Sequence, residues 1–167
     1  YLHNNMSTKM SNSWTFWYHT HDTKDWSRES YKIIHKVKTA EELWGVFKLI
    51  TPKHFENGMF FIMKDDIFPD WKSPENENGG FWSIKIDTRT DNNILNILKI
   101  WVNYLVTGRI VSKNSCIIVH GISISPKNSH CVLKVWIRDK KFVKFNNMLS
   151  NELPYVKTCK FTSFSNK

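Results

Sequence analysis

Long apolar runs, paired cysteine motifs and a signal-peptide pattern are all missing from this sequence of 167 residues. No apolar run approaches the roughly 20 residues that a membrane-spanning helix needs, so no membrane span and no membrane partner are predicted. Cys116, Cys131 and Cys159 have no C-x-x-C spacing, which favours free thiols in a reduced, intracellular compartment. We therefore expect a cytoplasmic protein.

Recognisable catalytic motifs are also missing. The chain has no Gly-rich phosphate loop, no G-x-S-x-G and no H-E-x-x-H, so we predict that it is not an enzyme and uses no cofactor. His19 and His21 flank Thr20 in a predicted loop. Because no third ligand lies nearby in the sequence, we interpret them as a solvent-exposed pair rather than as a metal site.

Basic charge and aromatic side chains are both plentiful. The net charge is +9, which favours polyanionic partners through electrostatic steering and counterion release. The chain also has eight tryptophans and eleven phenylalanines. Tryptophans in loops of a basic protein point toward nucleic acid, because every base has a face on which an indole can stack.

The order of the predicted elements is strand–strand–helix three times, followed by one strand. Paired strands with short connections favour antiparallel neighbours, and three helices would cover one face of a single sheet, an α+β fold. Residues 13–167 are predicted to form one domain after a loose arm over 1–12. Strands are predicted over 13–19, 30–37, 58–65, 79–87, 115–125, 130–139 and 156–164, and helices over 39–50, 92–107 and about 140–150.

Local signals mark the ends of two helices. Thr39 and Glu42 form a predicted capping box at the start of the first helix. Asp91 is the predicted cap of the second helix, and Gly108 is its predicted stop. The first helix has a core stripe at Leu43, Phe47 and Ile50, and the second has two apolar stripes, Ile94–Leu98–Trp101–Leu105 and Ile97–Ile100–Tyr104.

The tryptophans fall into groups by position. Trp14, Trp17 and Trp82 lie within predicted strands, where sheet packing explains them. Trp26 and Trp71 lie in polar loops that each join the two strands of a predicted pair. Equivalent loops of an antiparallel sheet lie at the same end, so the two indoles can face one another and hold a flat group. For either indole alone, covering the edge of the core is an equally good interpretation.

Trp44 lies off the core stripe of its helix and has two interpretations. It is either a half-buried spacer or an anchor for a protein partner, because exposed tryptophan is a common interface hot spot. The two stripes of the second helix favour a partner surface, since one sheet cannot cover both.

These residues, in this order, resemble the eukaryotic translation initiation factor 4E family, whose members bind the 7-methylguanosine cap of messenger RNA. The resemblance runs from about Ser13 to about Pro154. It rests on "SWTFWYH", Trp26, "TAEELW", "FPDW", "GGFW", the helix end at Gly108 and "KVW". It implies a curved antiparallel sheet with three helices on its convex face, and a non-enzymatic monomer outside the initiation complex.

The resemblance also implies roles for individual residues. Trp26 and Trp71 match the indoles that sandwich the methylated guanine, Trp136 matches a third aromatic near the methyl group, and Lys127 matches a contact to the triphosphate. Trp44 matches the residue that docks the scaffold factor 4G or a related tyrosine–leucine-motif protein. Ile100 and Tyr104 on the second helix and Met10 would extend that surface.

Three departures from the family pattern fall within the implied cap site. Lys72 replaces the acid that follows the second stacking tryptophan, so its backbone N–H is left as the expected donor to the guanine carbonyl. Glu75 or Glu77 supplies the missing carboxylate, or nothing does. Val132 and Phe81 replace basic residues, and Lys134, on the same face as Val132, is predicted to contact phosphate instead.

Two other functions stay open at this point. The first is a relative that no longer binds the cap and represses or competes with translation through the Trp44 surface. The second is a general binder of single-stranded RNA, for which the charge of +9 and the exposed indoles suffice.

Overall fold

The computed structural model describes residues 8–90 and 93–166, and seven strands form one curved antiparallel sheet. Its order is β2-β1-β3-β5-β6-β4-β7, and with the helices it confirms the predicted α+β class. The strands are β1 (Lys9–Thr20), β2 (Lys32–Thr39), β3 (Gly58–Lys64), β4 (Gly80–Asp87), β5 (Val119–Pro126), β6 (His130–Ile137) and β7 (Lys160–Ser163).

The two faces of the sheet carry two separate apolar clusters. Side chains alternate along each strand, so Phe60 and Ile62 face the helices while Phe61 and Met63 face the opposite side. The strand tryptophans Trp14, Trp17 and Trp82 are all buried, as predicted. The helix-side cluster is the larger core, and the opposite cluster is small and aromatic.

The first predicted helix divides into two. Helix α1 (Ala40–Phe47) begins as predicted, with the Thr39 hydroxyl accepting a hydrogen bond from the Glu42 N–H at 3.2 Å. It ends before Ile50, and α2 (Pro52–Asn57) follows. Proline has no N–H to donate and holds the preceding residue extended, so Pro52 can begin a helix but cannot continue one.

Helix α3 (Ile94–Val106) has the predicted core stripe and the predicted end. Gly108 has a positive φ of 70°, and the Arg109 N–H donates to the Tyr104 carbonyl at 2.9 Å, which closes the helix end. The predicted cap Asp91 lies outside the described residues, and Asn93 occupies the N-cap position. The buried stripe is Ile94, Leu98, Trp101 and Leu105.

Three predictions about the fold are corrected. Strand β1 begins at Lys9, so residues 9–12 belong to the sheet and not to a loose arm. Strands β3 and β4 are not neighbours, because β5 and β6 lie between them. Within 140–150 the only helical residues are the 3-10 turn Lys140–Phe142.

Side-chain hydrogen bonds explain why the third predicted helix does not form. The Asn147 carboxamide oxygen accepts from the Leu149 N–H, and that of Asn146 accepts from the Phe161 N–H, both at 3.0 Å. These bonds offer the backbone a competing partner to a helical ladder. Separately, no helix within 8–90 and 93–166 is long and apolar enough to cross a membrane.

Candidate functional site

A cavity of about 280 Å³ opens on the face of the sheet opposite the helices. It gathers side chains from the β1–β2 loop, the β3–β4 loop, three strands and the C-terminal segment. Both predicted stacking tryptophans line it, so the tertiary structure brings these two loops to one place. Its aromatic lining is Trp26, Tyr31, Phe61, Trp71, Phe81, Trp136 and Phe164.

Trp26 is backed by a histidine. Its ring lies parallel to that of His19, with centroids 4.0 Å apart and an interplanar angle of 5°. His19 is fully buried, with Nε2 2.7 Å from the Asp25 carbonyl oxygen. The interpretation of His19 as solvent-exposed is therefore wrong. Because His19 covers one face of the indole, the other face is left to the cavity, and Trp26 remains 53% exposed.

The loop that carries Trp71 is organised by Asn76. This side chain is fully buried, and its Nδ2 donates to the carbonyl oxygens of Phe68 at 3.0 Å and of Asp70 at 2.8 Å. It therefore holds the chain just before Trp71. Asn76 was not among the predicted site residues, since one asparagine in a polar loop gives no signal of burial.

Asn76 is itself held by a buried histidine from β5. His120 Nδ1 lies 2.9 Å from Asn76 Oδ1; since the carboxamide oxygen can only accept, Nδ1 carries the proton. Burial above all, followed by the charges of Lys64 and Arg138, lowers the pKa of His120 to about 4. His120 is thus neutral at neutral pH.

The floor of the cavity is a packed aromatic group. Trp136 is 6% exposed and its indole N–H donates to the Ser123 hydroxyl at 3.0 Å, which sets the plane of the ring. Phe164, in the 3-10 turn after β7, packs on Trp136 with centroids 5.2 Å apart. Phe164 was not among the predicted site residues; its only signal is that an aromatic residue directly follows the last strand.

Neither of the predicted replacement acids lines this cavity. Glu75 lines a neighbouring cavity beside His120 and Arg138, and Glu77 is exposed. The acid that does line the aromatic cavity is Asp70. Its negative charge also acts on Tyr31, whose pKa is raised to about 12 mainly by burial and then by Asp70.

Lys72 is exposed, and its ammonium lies over the ring of Trp71. Its ammonium lies 5.0 Å from the centroid of the Trp71 ring, but the residue is not part of the cavity lining. Its backbone N–H donates to Asp70 Oδ1 at 2.9 Å. This N–H therefore has an internal acceptor in the structure, and its predicted bond to a ligand carbonyl stays a prediction.

The two predicted phosphate-binding lysines lie in different places. Lys134 lines the cavity on the same face as Trp136, with its Nζ 4.4 Å from the centroid of the Phe81 ring. Lys127 lines a groove on the helix side instead, next to Phe55 and Ile94. The structure thus brings Lys134 to the indoles and does not bring Lys127 there.

The predicted partner surface lies on the opposite side of the sheet. Trp44 is half-buried, with its ring centroid 5.5 Å from that of Phe47. Ile100 is 44% exposed, and the Tyr104 hydroxyl donates to Glu152 Oε2 at 2.8 Å. Met10 is partly buried against the same helix-side core.

No three His, Cys, Asp or Glu side chains within the described ranges come together as a metal site would require. Chemically, the cavity offers flat apolar surfaces with one acid and one lysine at its edge. Such an arrangement suits an aromatic ligand that carries both hydrogen-bond donors and negative charge.

Relatives in sequence are translation initiation factors. The chain is 26% identical over 133 residues to eukaryotic translation initiation factor 4E-1 of Caenorhabditis elegans, a match that covers 78% of this chain and 62% of the relative. It is 25% identical over 133 residues to eukaryotic translation initiation factor 4E of Aplysia californica, a match that covers 78% of this chain and 61% of the relative. The chain thus spans about three fifths of the length of these relatives.

Solved structures of the same factor share the fold. One is the complex of Caenorhabditis elegans eIF4E-3 with the 4E-binding protein Mextli and a cap analogue. It superposes with a TM-score of 0.69 at 19% identity, and the match covers 81% of this chain and 76% of that chain. Another is Schistosome eIF4E in complex with m7GpppG and 4E-BP. It superposes with a TM-score of 0.69 at 21% identity, and the match covers 80% of this chain and 74% of that chain. At these identities the similarity establishes a shared fold.

The family model of eukaryotic initiation factor 4E matches residues 9–165, which include every strand of the sheet and the whole lining of the aromatic cavity. The chain therefore belongs to the eukaryotic initiation factor 4E family.

Proposed function

We propose that the protein binds the 7-methylguanosine cap of messenger RNA, with the base held between Trp26 and Trp71. The observation that carries this proposal is that both indoles line one cavity. His19 behind Trp26 and Asn76 behind the Trp71 loop hold the two walls in place before a ligand arrives. Such preorganisation lowers the entropy lost on binding.

The charge of the ligand explains why a methylated base is preferred. Methylation at N7 makes the guanine ring cationic, and the face of an indole attracts a cation. Stacking is worth about 1–3 kcal/mol per aromatic contact, and a desolvated cation–π contact adds about 2 kcal/mol. An unmethylated guanine lacks the second contribution.

The other cavity residues suit the rest of such a ligand. Trp136 forms an apolar floor next to the base, and Lys134 at the edge of the cavity pairs with a phosphate of the cap. By this function the chain recruits messenger RNA for translation initiation, which agrees with the names of its sequence relatives.

Tryptophan fluorescence tests the cap proposal directly. Titration with 7-methyl-GTP is expected to quench the emission with at least about tenfold higher affinity than titration with GTP, because only the methylated ring is cationic. Equal affinities would contradict the proposal and favour the alternative of a relative without cap binding. An uncapped competitor RNA that displaces 7-methyl-GTP, with a steep dependence on salt, would favour general RNA binding.

The helix side offers a surface for a scaffold factor or a tyrosine–leucine-motif protein. Trp44 on α1 and Tyr104 on α3 pack against one shared core and stay partly exposed, and Ile100 on α3 is an exposed apolar residue. The two solved neighbours are complexes with a 4E-binding protein. A partner bound there leaves the cavity free, since the sheet separates the two.

Replacing Trp44 with alanine is expected to weaken a tyrosine–leucine-motif peptide about 30-fold, because a truncated hot-spot tryptophan typically costs about 2 kcal/mol. The affinity for 7-methyl-GTP should not change. Calorimetric titration measures both, and Ile33→Ala, at an exposed apolar residue of the edge strand β2, is the control. Equal peptide affinity in Trp44→Ala and wild type would show that Trp44 is not part of the peptide-binding surface.

A further inference from the structure

One acidic residue lines the same cavity as the two indoles. Among the acids of the described ranges, Asp70 is the one that lines the aromatic cavity. It directly precedes Trp71 in the chain, and its charge reaches Tyr31, another residue of the same lining. The carboxylate therefore belongs to the cavity and not to the outer surface of the loop.

The position of Asp70 is fixed by its neighbours. Its backbone carbonyl accepts hydrogen bonds from Asn76 Nδ2 at 2.8 Å and from the Ser73 hydroxyl at 2.9 Å. Its Oδ1 accepts from the Lys72 N–H at 2.9 Å, a bond that limits rotation of the side chain. Within the described residues Oδ2 has no hydrogen-bond partner, so one oxygen keeps its full capacity for a ligand.

Guanine presents two kinds of donor along one edge, the N1–H and the 2-amino group. An ionised carboxylate only accepts hydrogen bonds and has about four lone-pair sites, so it can accept from both donors even while Oδ1 holds the Lys72 N–H. Hydrogen bonds to a charged acceptor are the stronger kind. A carboxylate beside the cationic ring also favours the methylated base through simple charge attraction.

We infer that Asp70 accepts the hydrogen bonds of the guanine N1–H and 2-amino group and so determines which base the cavity takes. This inference rests on the proposed cap binding. In this arrangement the acid, Asp70, comes directly before the second stacking tryptophan, Trp71. The residue directly after that tryptophan is Lys72, which carries the opposite charge. Glu75 and Glu77 do not have this role, because neither lines the cavity.

The substitution Asp70→Asn tests the inference with little change in shape. The asparagine keeps an oxygen for the Lys72 N–H, while the second oxygen becomes an NH2 group that donates and cannot accept. Affinity for 7-methyl-GTP is expected to fall about 30-fold. Glu75→Gln and Glu77→Gln are the matched controls in the same loop, and each should stay within about twofold of wild type.

A second ligand separates recognition of the base edge from a general loss of charge. 7-Methylinosine triphosphate lacks the 2-amino group, so wild-type protein should bind it about tenfold more weakly than 7-methyl-GTP. In Asp70→Asn this preference should fall to about twofold or less. Because both ligands titrate the same sample, the ratio does not depend on the fraction of folded protein.

The outcomes distinguish the two proposals. If wild-type protein fails to bind 7-methyl-GTP, the proposed function is wrong and this inference is wrong with it. If wild type binds, but Asp70→Asn keeps the affinity and the tenfold preference, cap binding stands and the role of Asp70 is overturned. Loss of the preference in Glu75→Gln or Glu77→Gln instead would overturn it as well.

Discussion

Replacing Trp71 with alanine is expected to weaken the binding of 7-methyl-GTP about 100-fold, since the substitution removes one of the two stacking faces. The lost free energy combines stacking with the cation–π attraction of the methylated ring. GTP binding should weaken less, because an uncharged base loses only the stacking contribution. The preference for the methylated ligand should therefore shrink along with the affinity.

Calorimetric titration is the suitable measurement for this variant, because removing an indole changes the fluorescence itself. Phe145→Ala is the matched control: this ring is 68% exposed and does not line the cavity. Trp71→Phe should recover much of the affinity, since a smaller aromatic face still stacks. An unchanged affinity in Trp71→Ala would show that the base does not lie against this residue.

Replacing Asn76 with alanine is expected to lower the free energy of unfolding by about 3 kcal/mol, because it removes several hydrogen bonds of a buried side chain and leaves the buried His120 Nδ1–H without its partner. The carbonyl oxygens of Phe68 and Asp70 each lose one of their hydrogen bonds, and the Nδ1–H of His120 loses its acceptor. The same change frees the segment that presents Asp70 and Trp71, so cap affinity should fall too. A loop that must be ordered on binding costs affinity even when its side chains are intact.

Urea denaturation measures the stability of this variant. The control is Asn78→Ala, the same substitution two residues further along the same loop, where the side chain is exposed and the expected change is within about 0.5 kcal/mol. A loss of less than about 1 kcal/mol in Asn76→Ala would mean that the hydrogen bonds of Asn76 are replaced by water.

Several features determined by residues close together in sequence were predicted correctly, although the division between α1 and α2 was not. The cap at Thr39 and the stop at Gly108 follow from groups within one turn of a helix, so the local sequence is enough to predict them. The core stripe of α3 and the burial of Trp14 and Trp82 follow from the 3.6 and 2.0 periods of helix and strand. The α+β class follows from the order of these elements.

Interactions between distant segments were not predictable from the same patterns. Short connections suggested that β3 and β4 pair, but β5 and β6 lie between them, since strand order depends on which edges the whole sheet can join. The third predicted helix does not form, because the side chains of Asn146 and Asn147 accept hydrogen bonds from backbone N–H groups. One of these bonds comes from Phe161 in β7.

The residues of the candidate site were also predictable only in part. The sequence by itself, through its resemblance to the family, implied that Trp26, Trp71 and Trp136 belong to one site, and all three line the cavity. Only the tertiary structure decided which charges accompany them: it brought Asp70 and Lys134 to the cavity and turned Glu75 and Lys127 to other surfaces. The physical reason is that the direction of a loop side chain depends on long-range hydrogen bonds. Here these are the bonds of Asn76 to the Trp71 loop and to His120, 44 residues away.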